Sequence, residues 1–305
     1  MSHDHHSHHT AETDQRRLGV AFGITAVILV AQAVGALVTG SLALLVDTAH
    51  VLTDAAGLLI ALVAATLARR PPTPQRTWGF RRAEVLAALA QSAALLAVGV
   101  YVLVEGVQRL FDPPEIPARE LVLFGVVGLV GNLVALAVLA GGRSSSLNLR
   151  AAFLEVLNDA LGSVGVIVAA LVIALTGWQQ ADAVAALLIG ALILPRALRI
   201  LREATAVLLE TTPPGLDLGD VREHLLRVDH VLEVHDLHAS LIATGLPTLS
   251  AHVVVDAHCF TTGHVPHILD TLQECVAHHF DVPVEHSTFQ IEPSAHAAHE
   301  APGHP

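Results

Sequence analysis

His50 is the only histidine between Thr10 and Leu201 of this 305-residue chain, and Asp54 follows it four residues later. About a hundred residues on, the apolar segment Glu155-Val-Leu-Asn-Asp159 repeats that spacing with two carboxylates. On a helix, residues i and i+4 share a face, with Cβ atoms about 5–6 Å apart. Each segment therefore offers two metal-ligand side chains on one face, and two such faces meeting would make a four-ligand site. One imidazole with three carboxylates is a mixed nitrogen and oxygen set that suits tetrahedral Zn2+. Asp47 lies three residues before His50 and seven before Asp54, on the same helical face, where it can orient the ligands from behind. Asn158 is a further hydrogen-bonding neighbour. The echo runs past the ligands: His50-Val-Leu-Thr-Asp-Ala-Ala-Gly57 matches Glu155-Val-Leu-Asn-Asp-Ala-Leu-Gly162. Glycines at the eighth position allow close helix approach, as small residues do in membranes. Interhelical hydrogen bonding explains one such pair adequately; two pairs repeated in register favour a metal.

The elements that carry these residues are membrane spans. The chain is 53% hydrophobic and only 14% charged, with a mean hydropathy of +0.59, against about 25% charge in soluble domains. A span needs about 20 apolar residues, and six candidates occur at approximately 18–39, 43–68, 83–110, 119–140, 151–175 and 181–201. Ionisable residues at membrane depth are costly and mark a substrate or proton pathway by default. Arginine orients the spans. Twelve arginines fall on the N-terminal flank, the second–third and fourth–fifth loops and the end of the sixth span, and only Arg109 and Arg119 fall on the other side. By the positive-inside rule both termini are cytoplasmic. Other polar residues within spans (Gln32, Gln91, Glu105 and Asn132) read as packing or vestibule groups, and Glu84 as a helix-start residue favoured by the dipole. The loop Arg69–Arg82 contains no His, Cys, Asp or Glu, and supplies no loop metal site. No cleavable signal peptide is expected from the polar, His-rich N-terminus.

The remaining third is a different kind of protein. From Glu203 onward there are 15 Asp/Glu, two Arg and 14 of the 20 His. This acidic balance argues against nucleic acid, which requires a basic footprint, and suits a domain that meets cations. Pro213-Pro214-Gly215 breaks the chain after the sixth span. The pattern then predicts a helix over Asp217–Val228, strands over Val231–Ala243 and Thr248–Asp256 around a Gly245-Leu246-Pro247 turn, a helix over Thr262–Phe280, and a last strand over Ser287–Glu292. An αββαβ order suggests an α+β sandwich. His235, His252, His286 and Glu292 are candidates for a cytoplasmic zinc site across this sheet or a dimer interface. His235 and His238, three apart on one strand, should point to opposite faces. His224, His230, His258, His264, His267, His278 and His279 read as surface histidines. Cys259 and Cys275 form neither a zinc-ribbon spacing nor a disulfide framework. The expected division is a disordered His-rich segment 1–15, a transmembrane domain 16–205, a cytoplasmic metal-binding domain 206–293 and a disordered tail 294–305.

Taken together, these residues resemble the cation diffusion facilitator family, specifically its bacterial zinc/cadmium/cobalt members. The similarity extends over nearly the whole chain. Its markers are Ser41-Leu-Ala-Leu-Leu-Val-Asp-Thr-Ala-His-Val-Leu-Thr-Asp54, Trp78-Gly-Phe-Arg-Arg-Ala-Glu-Val-Leu-Ala-Ala-Leu89 and Asp159-Ala-Leu-Gly-Ser-Val-Gly165. Val234-His-Asp-Leu-His238 and Ser287-Thr-Phe-Gln-Ile-Glu292 continue them in the tail. The resemblance implies a homodimeric, multi-pass protein of the bacterial cell membrane: an all-α six-helix transmembrane bundle followed by a small α+β ferredoxin-like cytoplasmic domain. It implies export of Zn2+, with Cd2+ or Co2+ as further cargo, in exchange for external protons. No cofactor is required; the metal is substrate and, in the tail, a candidate regulatory ligand. The family's central site takes two ligands from the second helix and two from the fifth, carried over here as His50, Asp54, Glu155 and Asp159. Position 155 departs from the family pattern, in which it is usually His and sometimes Asp. Glutamate is a harder ligand, so Mn2+, Fe2+ or Co2+ export by the same fold is the nearest alternative. Proton coupling is assigned to His50, with Glu155 as a second carrier, because metal and protons compete for the same ligands.

Two other classes fit less well. An intramembrane zinc protease would carry a His-Glu-x-x-His helix, which is absent; the chain is expected not to be an enzyme. A membrane-anchored metal sensor or storage protein explains the tail histidines but not a ligand pair in each of two spans.

Overall fold

The computed structural model describes residues 5–68, 70–140 and 147–297. Two compact units emerge, one formed by 1–62 with 90–201 and the other by 63–89 with 202–305.

The first unit is built of helices: α1 (His5–Thr39), α2 (Leu42–Ala68), α3 (Ala83–Phe111), α4 (Ala118–Ala140), α5 (Leu147–Thr176) and α6 (Gln180–Leu208), with the end of α2, the start of α3 and the end of α6 counted in the second unit. Among the described residues, five helices are long and apolar enough to cross a membrane: Gly19–Thr39 of α1, α3, α4, Ala152–Thr176 of α5, and α6. The sixth expected span is one continuous helix, α2, of which Leu42–Thr53 is the apolar stretch found. Residues 5–15 were expected to be disordered, yet α1 starts at His5. The segment has no Pro or Gly before Gly19, so nothing stops a helix that is already nucleated by the apolar span from propagating back through it. Residues 1–4 lie outside the described part.

Between α1 and α2 the chain turns on two residues. Gly40 adopts φ +64° and returns its N–H to the Ala36 carbonyl at 2.9 Å, ending α1. Ser41 then caps α2, its Oγ accepting from Leu44 N at 3.1 Å. Asp182 of α6 completes this cap. It accepts from Leu42 N at 2.7 Å and from Ala43 N at 3.4 Å, and Ser41 Oγ donates to it in a short contact. A buried carboxylate at a helix N-terminus meets both the dipole and the orphan N–H groups. Asp182 therefore fixes the end of α2 nearest the histidine. A shared core of Leu42, Leu44, Val46, Val102, Leu121, Val166, Ala170 and Ala186 ties α2 to α3, α4, α5 and α6. Many large apolar residues, among them Leu37, Phe111, Leu175 and Leu192, point outward instead, as lipid contact requires.

The second unit contains α7 (Leu218–Leu226), β1 (Val231–Ala243), β2 (Leu246–Val255), the single turn α8 (Cys259–Thr262), α9 (Val265–His278), β3 (His286–Pro293) and the turn α10 (Ser294–Ala297). Asp217 caps α7 by accepting from Gly219 N at 2.7 Å. The sheet order is β1-β2-β3, with β1 antiparallel to β2 and β2 parallel to β3. The long β2–β3 connection through α9 is what a parallel pair demands. Val221, Leu225, Val234, Val253, Val255, Ile268, Leu272 and Val276 form the core between sheet and helices. The αββαβ order agrees with the pattern. The hairpin turn lies at Thr244-Gly245, with Gly245 at φ +72°, so that Leu246 and Pro247 already belong to β2. The expected helix over Thr262–Phe280 splits, because Gly263 at φ +79° separates α8 from α9. The tail is ordered as far as α10, where disorder was expected from 294; residues 298–305 lie outside the described part.

Candidate metal sites

In the helical unit the expected ligands occupy the interior. His50 is 6% exposed, Asp159 4% and Asp47 2%, while Glu155 is half-buried. The charge of Glu155 acts on both His50 and Asp159, and Asp159 interacts with Asp47, so α2 and α5 do bring their polar faces together. Asp54 follows one turn after His50 on α2, but its side chain, like the surroundings of Gly57, lies outside the described residues. Asp159 Oδ1 is buried and has no hydrogen-bond partner among the described residues. A buried carboxylate oxygen left unsatisfied is costly, and a divalent cation is a group that would satisfy it.

Behind the ligands stands a polar network that the spacing only partly foretold. Gln32 of α1 donates from Nε2 to Asp47 Oδ2 at 2.7 Å, and Asn132 of α4 donates to Ser163 Oγ of α5 at 3.4 Å. All four residues are essentially sealed from solvent. Gln32 and Asn132, read as packing or vestibule groups, are thus interhelical hydrogen-bond donors, Gln32 to Asp47 and Asn132 to Ser163. Gln91 and Glu105 keep the quieter roles, Gln91 donating to the Thr53 carbonyl at 2.7 Å and Glu105 pairing with Arg109 at 2.8 Å. Asn158, expected as a hydrogen-bonding neighbour, is exposed on α5 instead.

Gly162 has a steric reason to be glycine. A Cβ added there would collide with Asp47 Oδ1 of α2. Gly162→Ala should therefore push Asp47 off Gln32 or force α2 from α5, at the roughly 1–3 kcal/mol typical of overpacking. The expected result is a lower thermal midpoint in detergent together with a reduced metal flux. Unchanged values for both would show that the contact carries no weight.

Arg196 was read from sequence only as a topology marker. Its Nη1 lies 3.3 Å from Glu155 Oε1. Forty-one residues separate the two, and no local pattern reveals such a pair.

In the second unit, three of the four expected tail residues converge. His235 donates from Nε2 to Glu292 Oε1 at 2.9 Å, its ring lies 5.1 Å from that of His252, and one ligand atom from each of His235, His252 and Glu292 falls within 4.8 Å of the others. Cross-strand register explains this: His235 pairs with His252, and His252 with Gln290, two residues from Glu292 on the same face of β3. Glu292 is 2% exposed. Burial pushes its carboxyl up, but hydrogen bonds from Gln290 and His235 and the charges of His235 and His252 outweigh this and hold it below the usual carboxylate range. His286 does not join. It pairs with Thr248, four residues along the sheet from the His252–Gln290 pairing, or about 13 Å at strand rise. There its ring meets the edge of Trp78 at 5.4 Å.

His235 and His238 were expected on opposite faces and lie on the same one. The register shifts between them, with His238 opposite Ser250, and Asp236 adopts φ +45°. This is a bulge, in which one extra residue restores the face of the following side chain.

A second group was missed altogether. His230, His258, Cys259 and His264 each place a ligand atom within 4.8 Å of the others. Their numbers show one short loop and one distant turn, and only the fold joins them.

Against known proteins, the chain matches the cation efflux transmembrane domain over residues 18–209 and the cytoplasmic domain of cation efflux proteins over 213–294. It is 40% identical to the metal cation efflux system protein CzcD of Cupriavidus metallidurans, an alignment covering 94% of this chain and 89% of that protein. It is 36% identical to the zinc transporter ZitB of Escherichia coli, over 99% of this chain and 97% of the relative. The cadmium, cobalt and zinc/H(+)-K(+) antiporter of Bacillus subtilis is 34% identical, over 94% and 92%. The first match spans the six long helices and the second the acidic C-terminal third, and the chain accordingly belongs to the cation diffusion facilitator family of metal cation efflux transporters.

Proposed function

We propose that this protein exports Zn2+ from the cytoplasm in exchange for external protons, with Cd2+ and Co2+ as further cargo, through a site built from His50 and Asp54 of α2 and Glu155 and Asp159 of α5. The observation that carries this reading is the buried, unsatisfied Oδ1 of Asp159 on a helix whose Glu155 acts electrostatically on His50. Asp47, held by Gln32, orients the ligands from behind. The names of the relatives support cargo of this class: one is a zinc transporter and another a cadmium, cobalt and zinc antiporter.

In this reading α2 completes a six-span bundle with both termini cytoplasmic, and the site faces each side of the membrane in turn. Metal entering from the cytoplasm displaces protons from His50 and Glu155, and protons from outside displace the metal. The C-terminal domain, ferredoxin-like in element order, pairs two chains into a homodimer. Metal held by His235, His252 and Glu292 favours the paired state by binding it more tightly. The transmembrane domain extends to about 205 and the cytoplasmic domain over about 206–293.

Flux in proteoliposomes with an imposed pH gradient tests the proposal. Wild-type protein should accumulate Zn2+ in response to the gradient, and Asp54→Ala should lose that response. A protein that only senses or stores metal has no flux to lose, and a passive channel conducts regardless of the gradient.

A further inference from the structure

The second cluster shares no residue with the transport site or with His235, His252 and Glu292. It is assembled at one end of the sheet. His230 lies in the turn between α7 and β1, and His258, Cys259 and His264 lie in the connection from β2 to α9. Asp256 N donates to the His230 carbonyl at 3.1 Å just beyond the last β1–β2 pairing, which brings the turn and the connection side by side. The rings of His230 and His258 are 5.1 Å apart, those of His230 and His264 5.5 Å and those of His258 and His264 6.3 Å. Cys259 is fully buried, with Sγ 3.9 Å from His258 Nε2. The three histidines are exposed, so the pocket floor is a thiol and its rim is imidazole.

We propose that His230, His258, Cys259 and His264 form a second metal site of the C-terminal domain, a Cys-His3 set for a borderline-soft divalent cation of the Zn2+, Cd2+ and Co2+ class. Four ligands of these types close a tetrahedral site. Bonds of about 2.0–2.3 Å require ligand atoms about 3.3–3.8 Å apart. The observed spread of up to 4.8 Å is closed by small rotations of exposed imidazoles. A thiolate ligand selects against Mg2+, Ca2+ and Mn2+, which prefer oxygen. The surroundings also orient the rings. Thr262 Oγ1 lies 2.8 Å from His264 Nδ1, leaving Nε2 for the cation, and Asp256 Oδ2 lies 3.6 Å from His230 Nδ1. A hydroxyl or carboxylate behind a ligating histidine sets its tautomer and raises its basicity. Cys275, buried in the same apolar core as Cys259, is no member of any described ligand group, so the two thiols differ in their histidine neighbours and not in burial. An occupied site would clamp the α7–β1 turn to the start of α9, linking metal level to the rigidity of this end of the domain.

Co2+ titration of the metal-free, full-length protein in detergent tests the site. A thiolate-to-metal charge-transfer band should grow to one equivalent per chain. The His-rich termini bind Co2+ without producing that band. Cys259→Ser should abolish it, and Cys275→Ser and His235→Ala should leave it intact. His230→Ala and His264→Ala, at exposed positions that spare the core, should each weaken the band-forming affinity more than tenfold. Absence of the band in wild type, or its persistence in Cys259→Ser, overturns the proposal. Should Cys259→Ser fail to fold, undiminished affinity in both histidine variants overturns it equally. Loss of transport in other variants leaves this result untouched, since the readout does not involve flux.

Discussion

His50→Ala should lower the affinity of the proposed transport site for Zn2+ by more than about 100-fold, equivalent to about 2.7 kcal/mol, and should abolish pH-driven exchange. The magnitude follows from its place in the set. Groups that merely orient a ligand are worth about 10–100-fold in metal affinity, and His50 is the sole imidazole among carboxylates. It is also the one imidazole of the proposed set, the side-chain type that most readily exchanges a proton near neutral pH. Where the ring is protonated, metal binding must expel the proton; where it is already neutral, binding expels none from it. Proton release on Zn2+ binding, followed between about pH 5.5 and 7.5, therefore rises toward the acid side in wild type. In His50→Ala that rise is lost. Equal release by both proteins would remove His50 from the coupling and leave Glu155 as the carrier.

The second large effect is on selectivity. Glu155→His exchanges a hard carboxylate for an imidazole and should shift preference toward Zn2+ over Mn2+ and Co2+ by about tenfold or more, which corresponds to about 1.4 kcal/mol. The argument rests on ligand softness: nitrogen donors suit Zn2+, whereas carboxylates also accommodate harder ions. Arg196 works in the same direction. Its pairing with Glu155 at 3.3 Å would compete with a cation bound there, and a histidine has no carboxylate for it to hold. That pair is half-exposed, and such pairs contribute about 0–1 kcal/mol, so the ligand exchange dominates the expected change. Competition among Zn2+, Co2+, Cd2+ and Mn2+ in proteoliposomes measures it. An unaltered order of preference would mean that position 155 does not set the cargo.

Much of the architecture was legible along the chain because local rules suffice for it. Long apolar runs make membrane-length helices wherever they occur. The pairs His50/Asp54 and Glu155/Asp159 are legible because helical periodicity converts a four-residue spacing into a shared face. The strands of the acidic domain were legible by alternation, as was the His235–His252–Glu292 face in part. Even so, His286 shares that face but stands four residues along it from the His252–Gln290 pairing, since strand pattern says nothing of where a strand sits against its neighbour.

What only the tertiary structure decided has one physical source: contacts between segments distant in sequence. The capping of α2 by Asp182, the hold of Gln32 on Asp47, the steric need for Gly162 and the Arg196–Glu155 pair all join different helices. The bulge at Asp236 reversed a face that simple alternation predicts, because one residue in the left-handed region resets the count. The same holds for the His230, His258, Cys259 and His264 group, which a turn and a loop bring together. By itself the sequence determined that two helices each carry a pair of ligand-type residues four apart; the packing of those helices and of the sheet determined which other side chains stand around them.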